Sequence, residues 1–247
     1  MFNIIRPRLV PSLKNRFYHS SSHPGTNNII NENIIESRIL NKAVEYIPKY
    51  GFNSTKPIIN AIKDLNYSDS ITSLFTSNPN GNSLPFQLTL YWLKLKRLEL
   101  DNFAKTTTLE NNQYSNLQKL IIERLSYNEP VISKLQEAMS LLILPYNITQ
   151  SIEELMELSD DLTYYSGDKS NDFNWYSKRF CIGSIYLKSE LFMLKDTSYN
   201  FEMTKLFVNE KLKEYENLSN GIVNFEQWCE FNAIGLVNLI KSQLIRG

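Results

Sequence analysis

From about residue 35 nearly to the last residue, apolar side chains recur three and four positions apart, and this pattern leaves room for little but helices. Residues at that spacing share one face of a helix, whereas a half-buried strand would alternate. Only 8 Gly and 9 Pro punctuate 247 residues, few for a chain of many short strands and turns. With 42% hydrophobic and 12% aromatic residues the chain can bury a real core, so wholesale disorder is excluded. The fold class is all-α.

Punctuation divides the run into about ten helices. The first covers about 34–50 (Leu40, Ala43, Val44, Ile47) and closes at Gly51, unless Pro48 ends it a turn earlier. Ser54-Thr55 with Pro57 opens a second, and Ser68-Asp69 opens a short third carrying Ile71, Leu74 and Phe75. Asn78-Pro79-Asn80-Gly81 is a break. Longer helices follow at about 84–104, 109–126, 131–142, 147–165, 174–194, 201–217 and 222–245. The opening pieces make residues 34–80 a helix-turn-helix-like segment, and the longer helices a bundle over 81–220. This is the layout of a TetR-type regulator, so a ligand-sensing, DNA-binding protein is the rival reading. Its recognition segment, Asp69 to Phe75, begins with an acid and contains no Lys, Arg, Asn or Gln. Base readout needs donors in the groove and cations on phosphates, so no nucleic-acid partner is expected.

Charge is balanced overall but not along the chain. Arg6, Arg8, Lys14 and Arg16 precede the first acid, Glu32; setting those four aside leaves 22 basic against 26 acidic residues. Residues 1–28 are cationic, rich in hydroxyls (Ser20-Ser21-Ser22) and free of acids, the composition of a mitochondrial transit peptide. Residues 1–33 are therefore read as address and linker. No stretch reaches the roughly 18 apolar residues of a transmembrane helix, so membrane contact would be peripheral.

The two histidines, His19 and His23, both fall in that flank. A body without imidazole lacks the base of Ser-His-Asp and Cys-His systems and the usual donors of zinc or di-iron sites. No catalytic residue, cofactor or metal site is expected. Cys181 and Cys229 fit no metal spacing and read as two small buried hydrophobes. Glu153, Glu154, Glu157, Asp160 and Asp161 crowd one helix. Isoprenoid synthases hold magnesium with an aspartate-rich motif, but here Tyr164 stands where its third Asp belongs. The acids read instead as a solvated or partner-facing surface.

Residues 160–176, DDLTYYSGDKSNDFNWY, concentrate acids and aromatics around Gly167. Trp175-Tyr176, followed by Lys178-Arg179, has the composition of an interaction hot spot, although two aromatics capping the core would read the same. Leu144-Pro145-Tyr146-Asn147-Ile148, Tyr165-Ser166-Gly167-Asp168, Asp172-Phe173-Asn174-Trp175-Tyr176 and Glu190 through Asp196 closely resemble the lipid-binding accessory proteins of mitochondrial coenzyme Q biosynthesis, the ninth of the numbered coenzyme Q proteins. The resemblance is strong over about sixty residues and upstream rests on helix layout. It implies a TetR-like fold and a non-enzymatic member of the coenzyme Q synthesis complex, on the matrix side of the inner membrane. Such a protein would bind an isoprenoid quinone lipid and present it to the di-iron demethoxyubiquinone hydroxylase. The implied partner surface is Asp160, Leu162, Tyr165, Trp175, Tyr176 and Arg179.

Two further expectations complete the reading. In residues 221–247 an amphipathic helix gathers Phe225, Trp228, Leu236, Leu239 and Ile240 on one half of its wheel. Sequence alone favours packing on the core or in a homodimer seam; the resemblance favours the inner mitochondrial membrane. Leu142, Ile182, Ile185, Tyr186 and Met193 are read as facing the bundle interior and lining a lipid pocket, with Gly183 and Ser184 leaving room for a tail. Ordinary core packing explains these residues equally well.

Overall fold

A computed structural model describes residues 30–31, 33–76, 81–107, 112–168 and 175–219, with isolated helical positions at 234–235 and 238. The transit-peptide reading, His19, His23 and the five membrane-contacting residues Phe225, Trp228, Leu236, Leu239 and Ile240 lie outside them.

Among the described residues the regular structure is helical throughout. The elements are α1 (Ile35–Val44), α2 (Ile47–Tyr50), α3 (Lys56–Asp64), α4 (Thr72–Thr76), α5 (Leu84–Thr106), α6 (Gln113–Ser126), α7 (Ile132–Ile143), α8 (Ile148–Ser166), α9 (Trp175–Met193) and α10 (Glu202–Ser219). The first expected helix is two, because Pro48, lacking an N–H, sits at the start of α2 and breaks the ladder behind it. Gly51 then closes α2 at φ +79°, where a Cβ would also run into the Glu137 carboxylate. Asn112 caps α6, its side chain accepting from the amides of Tyr114 and Ser115. Gly167 ends α8 with φ +105°; its amide and that of Asp168 turn back to Tyr164 and Thr163, a Schellman closure that only a left-handed residue permits.

Two apolar clusters fill the interior, and α5 runs through both. Its first half sets Leu88, Tyr91 and Trp92 against α1, α3, Phe75 and the α7 residues Leu135, Ala138 and Leu141. Its second half sets Leu100 and Ala104 against α6, α8, α9 and α10. The helix-turn-helix-like segment thus shares a core with α5 and α7. Phe75 is its anchor, while Leu74 faces out.

Candidate functional site

The residues singled out from sequence converge on α8 and α9, which pack against each other. At α9 the two faces of one helix do different things. Cys181, Ile182, Ile185, Tyr186 and Met193 are buried in the second cluster, while Tyr176 is 67% and Phe180 37% exposed. Tyr176 and Phe180 are one turn apart and so share the outer face. The backbone of Trp175 begins α9.

Of the six partner-surface residues, Tyr176 alone among the described side chains is exposed. Leu162 is 0% exposed and packed in the core. Asp160 and Arg179 are both buried and pair with each other, Arg179 Nε donating to the carboxylate. The pair joins α8 to α9, and none of these three side chains is presented to solvent in this fold. Tyr165 is half-buried and donates its hydroxyl to Asp101, which also receives Lys105 Nζ at 2.6 Å. Burial and the hydrogen bond to Asp101 push that phenol up, so it stays a donor.

The acidic run on α8 needs the clearest correction. It is a solvated surface only in part: Glu153 is exposed and Glu157 half-buried, whereas Glu154, Asp160 and Asp161 are buried. Arg97 of α5 reaches across to Asp161 (2.7 Å), Glu154 (3.1 Å) and Glu157. Burial works against the guanidinium, but the three carboxylates outweigh it and hold the charge. Glu154 goes the other way: burial raises its carboxyl to about 7 despite the opposing pull of Arg97. Among the described residues no group of three or more His, Cys, Asp or Glu is arranged to hold a metal ion.

Four of the five lipid-pocket residues, Ile182, Ile185, Tyr186 and Met193, lie in one cluster; Leu142 is half-buried on α7, whose buried neighbours belong to the other. The expected gap at Gly183 is closed. A Cβ there would meet Ser159 Oγ at 2.5 Å, so the glycine serves the close approach of α8. Cys181 is buried as expected but disulfide-bonded rather than a free thiol; the chain's other cysteine, Cys229, lies outside the described residues. A cleft does open nearby, lined by Ile122, Leu125, Met193, Phe201, Thr204 and Lys205 among others. Beside it lies a polar group that periodicity did not reveal. Glu190 Oε1 accepts from Asn128 Nδ2 (2.7 Å) and Tyr186 Oη (3.0 Å), and Asn128 Oδ1 accepts from Arg124 Nη1 (3.0 Å).

Comparison with known proteins gives these helices an identity. Residues 148–219, from α8 through α10, match the COQ9 family model. Over 239 residues the chain is 31% identical to the mitochondrial ubiquinone biosynthesis protein coq9 of Schizosaccharomyces pombe, covering 97% of this chain and 91% of that protein. The chain belongs to the COQ9 family. The Saccharomyces cerevisiae COQ9 is 32% identical over 220 residues, with 85% of this chain and 84% of that protein aligned. The human COQ9 is 30% identical across 76% of this chain and 60% of its own length. These relatives are named ubiquinone biosynthesis proteins of mitochondria, and COQ9 membership supports that biosynthetic role and that address for this chain. The matched segment contains the Arg179–Asp160 pair, the outer aromatics and the inner face of α9, whereas Arg97 and Arg124 enter from helices before it.

Proposed function

We propose that this COQ9 protein is a non-catalytic lipid carrier. It holds a polyisoprenoid quinone intermediate within the bundle and presents it to the demethoxyubiquinone hydroxylase of the coenzyme Q synthesis complex, on the matrix side of the inner membrane. The observation that carries the reading is the two-sidedness of α9: apolar residues turned into the second cluster, and Tyr176 with Phe180 turned to solvent on the same helix. An exposed aromatic pair on an ordered helix suits a protein partner, and an apolar interior suits a chain whose burial contributes about 25 cal/mol per Å². Family membership supplies the pathway. Trp175, next to Tyr176, joins the same surface in this reading, and residues 221–247 supply its peripheral membrane contact.

Two measurements test it. The full chain, purified from mitochondria and extracted for mass spectrometry, is expected to carry polyisoprenoid quinone intermediates; background lipid only would remove the carrier role. Tyr176→Lys is expected to weaken co-purification of the hydroxylase with unchanged helical content. Undiminished capture would take the outer face of α9 out of the partner surface.

A further inference from the structure

Among the described residues Arg124 is the largest charge-bearing side chain that is wholly buried, and the network around it accounts for only part of it. Its exposure is 0%. Nη1 donates to Asn128, but Nε and Nη2 have no acceptor within hydrogen-bond distance. The guanidinium carbon lies 5.6 Å from the Trp92 ring centroid and 5.5 Å from that of Tyr186. Trp92 belongs to the first apolar cluster and Tyr186 to the second, so the cation occupies the seam between them. Cation–π contacts offset part of the burial, but they leave donors unmet. A buried N–H without an acceptor is costly, and two such nitrogens on one charged group call for an explanation.

The chemistry of the missing acceptor follows from which donors are open. Nε–H and the near Nη2–H of arginine point the same way, as a fork that receives two oxygens side by side. A carboxyl is already part of this network, since Glu190 joins Arg124 through Asn128, although burial raises the Glu190 pKa. A second anion would add uncompensated charge to a core, which is costly; an uncharged pair of oxygens would not. A small apolar cleft is lined from the same helices by Ile122, Leu125 and Met193, without Arg124 among its walls, so a ligand must part those walls to reach the guanidinium.

We propose that the Nε–Nη2 edge of Arg124 is a recognition site for two adjacent uncharged oxygens of a ligand head group, such as a ring carbonyl and its neighbouring methoxy or hydroxyl oxygen, seated at the seam between the clusters. This rests on the lipid-carrier reading and adds a polar end to it: the apolar walls take any tail, while Arg124 selects the head. Glu190, Asn128 and Tyr186 are positioning residues that fix the guanidinium's orientation.

The test titrates the full chain with three probes: a short-chain ubiquinone, squalene as a tail without oxygens, and palmitate as a carboxylate. Arg124→Met, an apolar replacement of similar length, is expected to keep its helical content. It should weaken ubiquinone binding at least about tenfold and leave squalene binding unchanged. Arg124→Lys, which keeps the charge but not the fork, should lose nearly as much. Equal ubiquinone binding by all three proteins would make Arg124 a structural arginine only and overturn the site while leaving the carrier reading intact. Loss confined to palmitate would overturn the uncharged-oxygen assignment. Failure of the unsubstituted chain to bind any probe would bring down both readings. Should the variants not fold, the Nε–H resonance of Arg124 in the unsubstituted chain decides. Ubiquinone but not squalene should shift it, and a resonance unmoved by ubiquinone would overturn the proposal.

Discussion

Arg97 shows how much a single residue's setting depends on partners that its own neighbourhood does not disclose. It faces three carboxylates of α8, so Arg97→Met strands buried negative charge and is expected to cost about 3–5 kcal/mol, measured by chemical denaturation at pH 8. Glu154 should behave in the opposite sense. Its carboxyl titrates near 7 in the folded chain against an ordinary value of 4.5. Between those values the folded state binds more protons than the unfolded one, so this group's contribution falls as pH rises through the window. Glu154→Gln is expected to flatten that decline and to gain on the order of 1–3 kcal/mol at pH 8; a variant with unchanged pH dependence would show that the carboxylate is not titrating there. The acids themselves were legible in sequence, but their direction was not. Their crowding identifies an acidic stretch of α8 and says nothing about which of them meet water and which meet Arg97, 57 to 64 residues away. Arg124 and Glu190 were invisible for a related reason: each sits among apolar neighbours at helical spacing and reads as one polar residue in a core stripe.

At the level of elements, sequence located nearly every helix, because caps and breakers are local. Pro48, Gly51, Asn112 and Gly167 all act within a turn of themselves. What it missed was the use of each face. Leu162 was placed on a surface that resemblance implied, yet it is buried in the second cluster; Leu162→Asp is expected to cost more than about 3 kcal/mol, as an unpaired charge in a packed site does, and to lower the melting temperature accordingly. The approach to α10 is held by Asp196, whose carboxylate accepts from the Ser198 and Thr204 amides (both 2.8 Å) and from Thr204 Oγ1 (2.6 Å). Those hydrogen bonds outweigh desolvation and draw its pKa down to about 2. The stability it lends is present above pH 4 and is lost as pH falls through about 2. The group is solvent-accessible, so Asp196→Ala is expected to cost only about 0.5–1 kcal/mol and to speed amide exchange in the first turn of α10 while leaving α6 unchanged.

For the whole molecule, the all-α class followed from periodicity and the scarcity of Gly and Pro, but the partition into two apolar clusters did not, since which helices meet is a property of the folded chain. α5 belongs to both clusters, so its central amides are expected to exchange with solvent at the global unfolding rate; faster exchange there than in α1 would contradict a shared spine. Trp92→Ala, which removes an edge-on partner of Phe52 and the ring beneath Arg124, is expected to cost about 3–5 kcal/mol and to lower both clusters in one transition. The two cations that clasp α8 have a mechanical meaning as well. Arg97 takes Asp161 and Arg179 takes Asp160, neighbours pointing about 100° apart around the axis. Rolling α8 by one residue would pull both acids off their arginines together. The helix is thereby pinned like a shaft with two keyways, and the adjustable walls of this bundle must be sought elsewhere.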